Sequence, residues 1–494
     1  MLKSPATNSV GATPLRMPDE VTEAVSSSLF THLVTVGGFL LAVFAIARLV
    51  SDKRPPSNTV AWLLSIVLIP YIAVPLFLLF GGRKIRRLAR SKRRVRPRLE
   101  GVPSATPAIA SLPTAQTIAS TGAGEPAGGN TVRLITTGEQ AFAELEAQIQ
   151  SAKHSIHIAA FILSRDEVGK RIVHLLAKRA REGVKVRLQL DALGCLFSSR
   201  GFVDPIRKAG GEVVRFMPVI PLSSRRSANL RNHRKIAVFD QHTAIVGGHN
   251  MAREYMGPTH LKKRWADFGA VITGPGAALL NEVFLADWSF ASRQSSEVLH
   301  NEIDPAAVRT EGNSVVQVVA SGPDVSGDAL YEGILSMIQE AEQSIWIITP
   351  YFIPDEVLLR SLIVKARAGK DVTLIIPAKS NHPVTDFARR HYVRQLRKAG
   401  ARVLHHTGKM MHSKALIVDD RIGLLGSANF DLRSLFVNFE IGVFLYSEDD
   451  VRAMRIWAGE LLRDCVEPKP EARPRFRLLG NLAEDLSRLF APLL

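Results

Sequence analysis

Cysteine is nearly absent from this chain of 494 residues: Cys195 and Cys465 are the only two, without a CxxC pair or His-rich spacing. A disulfide framework and a cysteine-ligated zinc site are thereby excluded. Aromatic residues are sparse at 7%, and the five tryptophans, Trp62, Trp265, Trp288, Trp346 and Trp457, are scattered and form no stacking platform for bases. Acidic residues are missing altogether from one stretch, Arg83 to Arg98, which holds ten Lys or Arg. Most of the net charge of +17 is therefore a local run, not a general nucleic-acid signature. With 46% hydrophobic and 22% charged residues the chain is not disordered, and its length predicts two to four domains at roughly 150 residues each.

Two long apolar stretches precede the basic run. Leu29 to Val50 is interrupted only by His32 and Arg48, and Val60 to Phe80 has no charge. Each is long enough to cross a hydrocarbon core of ~30 Å as a helix, and the short turn between them predicts a hairpin with both ends on one side. The basic run after the second stretch places that side in the cytoplasm and suits contact with anionic headgroups. A cleaved signal peptide fits poorly, because the first stretch begins late and no small-residue cleavage site follows it. From Gly101 to Asn130, 23 of 30 residues are Gly, Ala, Ser, Thr or Pro, which predicts a flexible linker.

Beyond the linker the chain repeats itself. Ile149, Gln150 and Ala152 recur as Ile338, Gln339 and Ala341, and Asp166, Glu167 and Val168 recur as Asp355, Glu356 and Val357. Helical and strand patterns alternate in both halves, which predicts two duplicated α/β units. The expected segments are a tail at 1–28, the hairpin at 29–80, the basic segment and linker at 81–130, and halves at 131–311 and 312–494.

Each half contains HxKxxxxD: His233, Lys235 and Asp240 in HRKIAVFD, and His412, Lys414 and Asp419 in HSKALIVD. Each is followed by an Asn at the same distance, Asn250 in GGHN and Asn429 in GSAN. One match could arise by chance; two at equivalent places do not. On a strand, His and Lys two apart share a face, whereas the Asp points away, so the aspartates are expected to be structural partners within the motif. Two imidazoles and two lysines suit phosphoryl transfer on a diester. One neutral His attacks phosphorus, and the other, protonated, serves the leaving oxygen and then the incoming alcohol or water. Lys235, Lys414, Asn250 and Asn429 would hold the nonbridging oxygens, and no metal or cofactor is called for. Each imidazole needs an acid to fix its tautomer; Asp267 in RWADF and Glu440 in VNFEIG are the candidates, with the pairing left open.

These motifs make the chain resemble the phospholipase D superfamily, in which paired HxKxxxxD motifs meet between two homologous halves. Within it the chain is similar to bacterial cardiolipin synthases, through NTVAWLLSIVLIPYIAVPLFLLFG, RNHRKIAVFD, FLADWSF, TPYFIPDEVLL, MHSKALIVDD, GSANFDLRS and the terminal LSRLFAPLL. The resemblance implies two homologous phospholipase D-like halves, each a mixed sheet flanked by helices, sharing one active site and preceded by a two-helix transmembrane hairpin. It implies a multi-pass protein of the bacterial inner membrane, with its catalytic part cytoplasmic. It also implies transfer of a phosphatidyl group between two phosphatidylglycerol molecules, giving cardiolipin and glycerol, with His233 as nucleophile and His412 as acid and base. The chain departs from the family at AREYMG, where a Gly-Asp pair usually precedes the tyrosine, and in the longer 101–130 segment. The first half carries an insertion, FMPVIPLSSRRSANLR, read as a loop over the site whose Arg225, Arg226 and Arg231 could meet lipid phosphate. Tyr351, Phe352 and Pro354 in TPYFIPDE stand where a substrate path or ordinary packing would use them. The rival readings are a hydrolase or a transferase using another headgroup, and, further off, a membrane-tethered nuclease; nucleic acid is not expected as a partner, and oligomeric state is open.

Overall fold

The computed structural model describes residues 19–51, 56–80, 102–196, 198, 201–217, 230–304, 306, 308–325 and 327–468. The N-terminal tail, the basic run, most of the insertion before Leu230 with Arg225 and Arg226, and the terminal LSRLFAPLL lie outside these residues. The chain divides into two compact units, 1–82 and 83–494.

In the first unit, helix α1 spans Asp19–Ser51, α2 Pro56–Leu68 and α3 Pro70–Phe80. The window Phe30–Ala47, with mean hydropathy 2.0, is long and apolar enough to cross a membrane. The second apolar stretch was expected as one helix; it is two, divided at Ile69. Pro70 explains the break, since it has no N–H to donate and its ring disfavours helical geometry in the residue before it. Ala45 and Leu49 of α1 bury against Ile66, Ala73, Val74 and Phe77, and Trp62 meets Phe77 edge to face at 5.3 Å. Phe30, Leu33, Phe39 and Leu40 on α1, and Leu64, Leu68 and Ile72 after it, remain exposed. An apolar surface of this kind is unfavourable in water and normal against lipid.

The second unit is built on one sheet that runs through both halves. The first half supplies β1 (Ala127–Ile135), β2 (Ser155–Ala160), β3 (Lys185–Asp191), β4 (Glu212–Phe216), β5 (Ile236–Phe239), β6 (Thr243–Gly247) and β7 (Gly269–Thr273). The second supplies β8 (Ser314–Ser321), β9 (Ser344–Ile348), β11 (Asp371–Pro377), β12 (Arg402–His406), β13 (Ala415–Val418), β14 (Ile422–Gly426) and β16 (Glu440–Leu445), with the short β10 (Phe352–Ile353), β15 (Phe430–Asp431) and β17 (Cys465–Val466). Outward from the central antiparallel pair β1 and β8, the order is β7-β6-β5-β2-β3-β4 on one side and β16-β14-β13-β9-β11-β12, then β17, on the other. The repeat in the sequence is thus a repeat in space, and the sheet is mixed: β2-β3-β4 and β9-β11-β12 are parallel, whereas the strands nearer the centre are antiparallel. Parallel strands are joined by helices such as Glu167–Arg181 and Glu356–Arg367, each capped by an Asp side chain, Asp166 or Asp355, that accepts from the third residue on.

The stretch 101–130, expected as a flexible linker, carries structure. Helices Pro107–Ala110 and Pro113–Ser120 lie within it, and β1 begins at Ala127. Proline at the first helical position costs nothing there and presets φ. Thr114, Ala115 and Ile118 are buried, and Glu340, on the helix Ala329–Glu340 of the second half, accepts from the Thr114 N–H. Small residues hid an amphipathic pattern that composition alone read as linker. Asn130 closes the segment: it is fully buried, donates to the Ala127 and Ser314 carbonyls at 2.9 and 3.1 Å, and accepts from Gly276 N–H at 2.6 Å.

Candidate active site

Both motifs open the inner hairpin of their half, β5-β6 and β13-β14. Asp240 and Asp419 follow the first strand of each hairpin with φ of 50° and 53°, the left-handed region used by tight hairpin turns. Their carboxylates accept three backbone N–H groups each: Lys153, His154 and Ser155 at 2.7–2.8 Å, and Glu342, Gln343 and Ser344 at 2.6–2.8 Å. The aspartates therefore tie each motif strand to the entry of β2 or β9, and their carboxylates are engaged away from the histidines.

At the other end of each motif strand, backbone pairing crosses between the halves. Asn232 bridges Phe439 in parallel, with His233 N–H donating to the Phe439 carbonyl at 2.9 Å; Ala266 bridges Met411, with His412 N–H donating to the Ala266 carbonyl at 2.7 Å. Because Phe439 precedes Glu440 and Ala266 precedes Asp267, each half delivers an acid to the other half's histidine. His233 Nδ1 lies 2.9 and 3.0 Å from the two Glu440 oxygens, and His412 Nδ1 lies 2.7 Å from Asp267 Oδ2. This arrangement answers the pairing that the sequence left open. Each acid fixes a tautomer with the proton on Nδ1, leaving Nε2 for chemistry.

The lysines sit beside their own histidines. Lys235 Nζ donates to the His233 carbonyl at 2.8 Å, and Lys414 Nζ donates to the His412 carbonyl while lying 2.8 Å from Nδ1 and 3.2 Å from Nε2 of that ring. Both lysines are almost fully buried, with 6% and 2% exposure. Burial lowers Lys235 to about 7, with Glu440 opposing and Lys414 adding to the fall, and lowers Lys414 to about 8 against the pull of Asp267 and Glu440. The lysines feel each other and the acids of both pairs, so the two sets form one electrostatic cluster. Burial opposes ionisation of Asp267 and Glu440, yet His412 and Lys414 hold the first, and His233 and Lys235 the second, below the usual carboxylate range. Burial lowers both imidazoles; at His412 the Lys414 charge adds to it and takes the ring to about 3, whereas at His233 the Glu440 charge is the foremost opponent.

Aromatic rings wall the pair. Phe161 meets His233 edge to face at 4.7 Å, and Tyr255 and Trp265 approach His412 at 5.1 and 5.5 Å. Asn250 and Asn429 are buried close by; Asn250 shares a cleft with Lys235, and Asn429 donates to Ser434 Oγ at 3.2 Å. Arg231, expected near lipid phosphate, is instead buried at 3% exposure, 3.6 Å from Asp191 and donating to the Met217 carbonyl at 3.1 Å. Phe352 is fully buried in the core of the second half, so ordinary packing accounts for it. Among the described residues no group of three or more His, Cys, Asp or Glu gathers as a metal site.

Several supporting residues escaped the sequence reading. Arg234, between the motif His and Lys, is 1% exposed and forms a two-pronged pair with Asp287 at 2.6 and 2.7 Å, while reaching the Glu440 and Ser321 carbonyls at 2.9 Å. The signal was present: Asp287 is the lone charge in FLADWSF, on a helix face that buries almost everything. Ser427 donates to Glu440 from beneath and accepts from Ile441 N–H. Its counterpart is Gly248, where a β-carbon would fall 2.0 Å from Asp267 Oδ1.

A doubled mixed sheet with two buried His-Lys pairs, each completed by an acid from the other half, defines the class of two-half phosphodiester enzymes with the phospholipase D fold. The comparisons narrow it. The family described as "Cardiolipin synthase, PLD-like domain" matches residues 145–288 and again 334–461, and the family described as "Phospholipase_D-nuclease N-terminal" matches residues 40–82. Cardiolipin synthase 1 of Bacillus anthracis is 33% identical over 94% of this chain and 95% of its own, and the cardiolipin synthase of Geobacillus thermodenitrificans is 32% identical over 93% and 95%. The crystal structure of phosphatidylserine synthase from Haemophilus influenzae superposes with a TM-score of 0.55 at 16% identity, covering 82% of this chain and 98% of that one, a likeness of fold. The chain belongs to the cardiolipin synthase family of phospholipase D-like enzymes.

Proposed function

We propose that the chain transfers a phosphatidyl group from one phosphatidylglycerol to the hydroxyl of another, giving cardiolipin and glycerol. The observation that carries this reading is the crosswise site, with two imidazoles each held at Nδ1 by an acid from the other half and two buried lysines beside them. In the first displacement one Nε2 lone pair attacks phosphorus, a P–N bond forms, the P–O bond to glycerol breaks, and the other imidazole gives its proton to the departing oxygen. In the second, that imidazole removes the proton of the incoming hydroxyl, the new P–O bond forms and the P–N bond breaks. Lys235 and Lys414, with amide N–H groups of Asn250 and Asn429, hold the nonbridging oxygens and stabilise the charge that develops there. A phosphodiester monoanion between the imidazoles also raises their proton affinity, opposing the lysines.

Family resemblance gives the attack to His233 and the proton transfers to His412. A second reading exchanges them, favoured by the balance of neighbouring charge: Glu440 is the foremost charge at His233 and promotes protonation, whereas Lys414 is foremost at His412 and favours its neutral form. In the cell, we place the apolar N-terminal unit in the bacterial inner membrane as a multi-pass anchor, with the α/β unit on the cytoplasmic side, supported by the basic run at 83–98. The test is mass-spectrometric analysis of products from phosphatidylglycerol vesicles. Cardiolipin and glycerol in equal amounts are expected; phosphatidic acid as the main product would make the enzyme a hydrolase and overturn the reading.

A further inference from the structure

Each half has a cleft beside its motif lysine, and the two clefts correspond through the internal repeat. The first, lined by Ala141, Lys235, His249, Asn250 and Met251 among others, holds about 40 Å³. The second, where Leu330, Lys414, Ala428 and Phe430 stand at the matching places, holds about 10 Å³. Larger side chains fill the second cleft where Ala141 and Met251 leave the first open. At about 10–15 Å³ for each water-sized group, the first has room for roughly three such groups.

The clefts also differ in polarity. In the first, His249 Nε2 and Asn250 Oδ1 are buried without a hydrogen-bond partner among the described residues. Asn429 Oδ1 is likewise unpartnered, but Asn429 does not line the second cleft, and Ala428 stands where the first has His249. A buried polar atom left unsatisfied is costly, so this pair points to a ligand. An amide oxygen accepts only, and the nonbridging oxygens of a phosphodiester carry no proton to offer it. A hydroxyl does. His249 also packs against Gly269, whose β-carbon position lies 3.5 Å from His249 Nδ1, two residues beyond the Asp267 that orients His412. The cleft therefore adjoins both motif sets, and its remaining walls, including Leu145 and Met256, suit a short carbon chain.

We propose that this cleft is a polyol subsite in which Asn250 Oδ1 and His249 Nε2 hold the neighbouring hydroxyls of a glycerol headgroup. The inference rests on the transferase reading above. Glycerol leaves opposite the P–N bond and the acceptor's glycerol enters from the same direction, so one subsite serves both half-reactions. The second-half cleft has no such role.

The test uses the full-length protein in mixed vesicles and follows transfer from phosphatidylglycerol to free deuterated glycerol or to ethanol, each at varied concentration. The alcohol proton passes to the histidine base as the new P–O bond forms and P–N breaks. Relative to wild type, His249→Ala is expected to raise KM for glycerol about tenfold, the loss expected for one hydrogen bond to a buried partner, and Ala141→Leu, which fills the cleft, is expected to raise it as well, each with a much smaller change for ethanol. His249→Gln, which restores a hydrogen-bonding group, should recover most of the preference. An unchanged glycerol-to-ethanol preference in both variants, or an equal loss for both alcohols, overturns the subsite. Failure of the wild type to transfer to any alcohol overturns the transferase reading beneath it, a separate outcome.

Discussion

Replacing Glu440 by Gln keeps the shape of the His233 partner and removes its charge, which makes it a direct probe of the crosswise pairing. The two carboxylate oxygens lie 2.9 and 3.0 Å from His233 Nδ1. At that separation and an effective dielectric of ~20 the attraction to a protonated ring is at most about 6 kcal/mol, much of it offset by desolvation. A charge-assisted hydrogen bond of this kind contributes about 1.5–3 kcal/mol, so kcat/KM is expected to fall roughly 10- to 150-fold. The pH profile provides a second readout. Lys235, already lowered to about 7 by burial, has Glu440 as its foremost favourable charge. Losing that charge lowers Lys235 further, because a cation without its anion gives up its proton more readily. The alkaline limb of kcat/KM, which reports the free enzyme, should therefore move to lower pH in the variant. Cardiolipin formation measured across pH with wild type and variant decides it. A variant with wild-type rate and an unmoved alkaline limb would refute the reasoning.

Gly248→Ala places a β-carbon 2.0 Å from Asp267 Oδ1, so the carboxylate must leave the 2.7 Å contact with His412; at least a tenfold loss of activity is expected in a steady-state assay. Asp287→Asn leaves Arg234 buried without its charge partner, and denaturant titration should show a cost of about 3–5 kcal/mol. Combining it with Arg234→Met should cost less than the sum of the single changes, because the uncompensated charge is gone. Asp419→Asn weakens the acceptor for three backbone N–H groups; stability should fall by about 1–3 kcal/mol while kcat/KM of the folded protein stays within about threefold. A hundredfold loss of turnover at unchanged stability would instead give that aspartate a chemical role.

The motif pairs and the doubled α/β architecture were legible because they are local patterns written twice: a strand period sets His and Lys on one face, and the repeat spacing sets the second copy. Crosswise assignment of Asp267 and Glu440 was not, since it depends on the bridges Asn232–Phe439 and Ala266–Met411, which form only when the halves pack. Arg231 shows the same limit. As a basic residue beside the motif it suggested phosphate, but its side chain is buried against Asp191. The helix at Pro113–Ser120 was hidden by a composition of small residues whose burial comes from a partner more than two hundred positions away. The break before α3, by contrast, was readable from Pro70 alone, and hydropathy averaged over the stretch concealed it.

The most direct measurement is to quench the full-length protein during turnover with isotopically labelled phosphatidylglycerol and map the covalent adduct by peptide mass spectrometry. It should be run beside His233→Ala and His412→Ala. A phosphatidyl group on one motif histidine, at no more than one per chain and discharged to cardiolipin when fresh phosphatidylglycerol is added, is the expected result, and the labelled residue settles which imidazole attacks. Cardiolipin formation without an adduct on either histidine, or adducts accumulating on both in the same chain, would contradict a single site shared by the two halves.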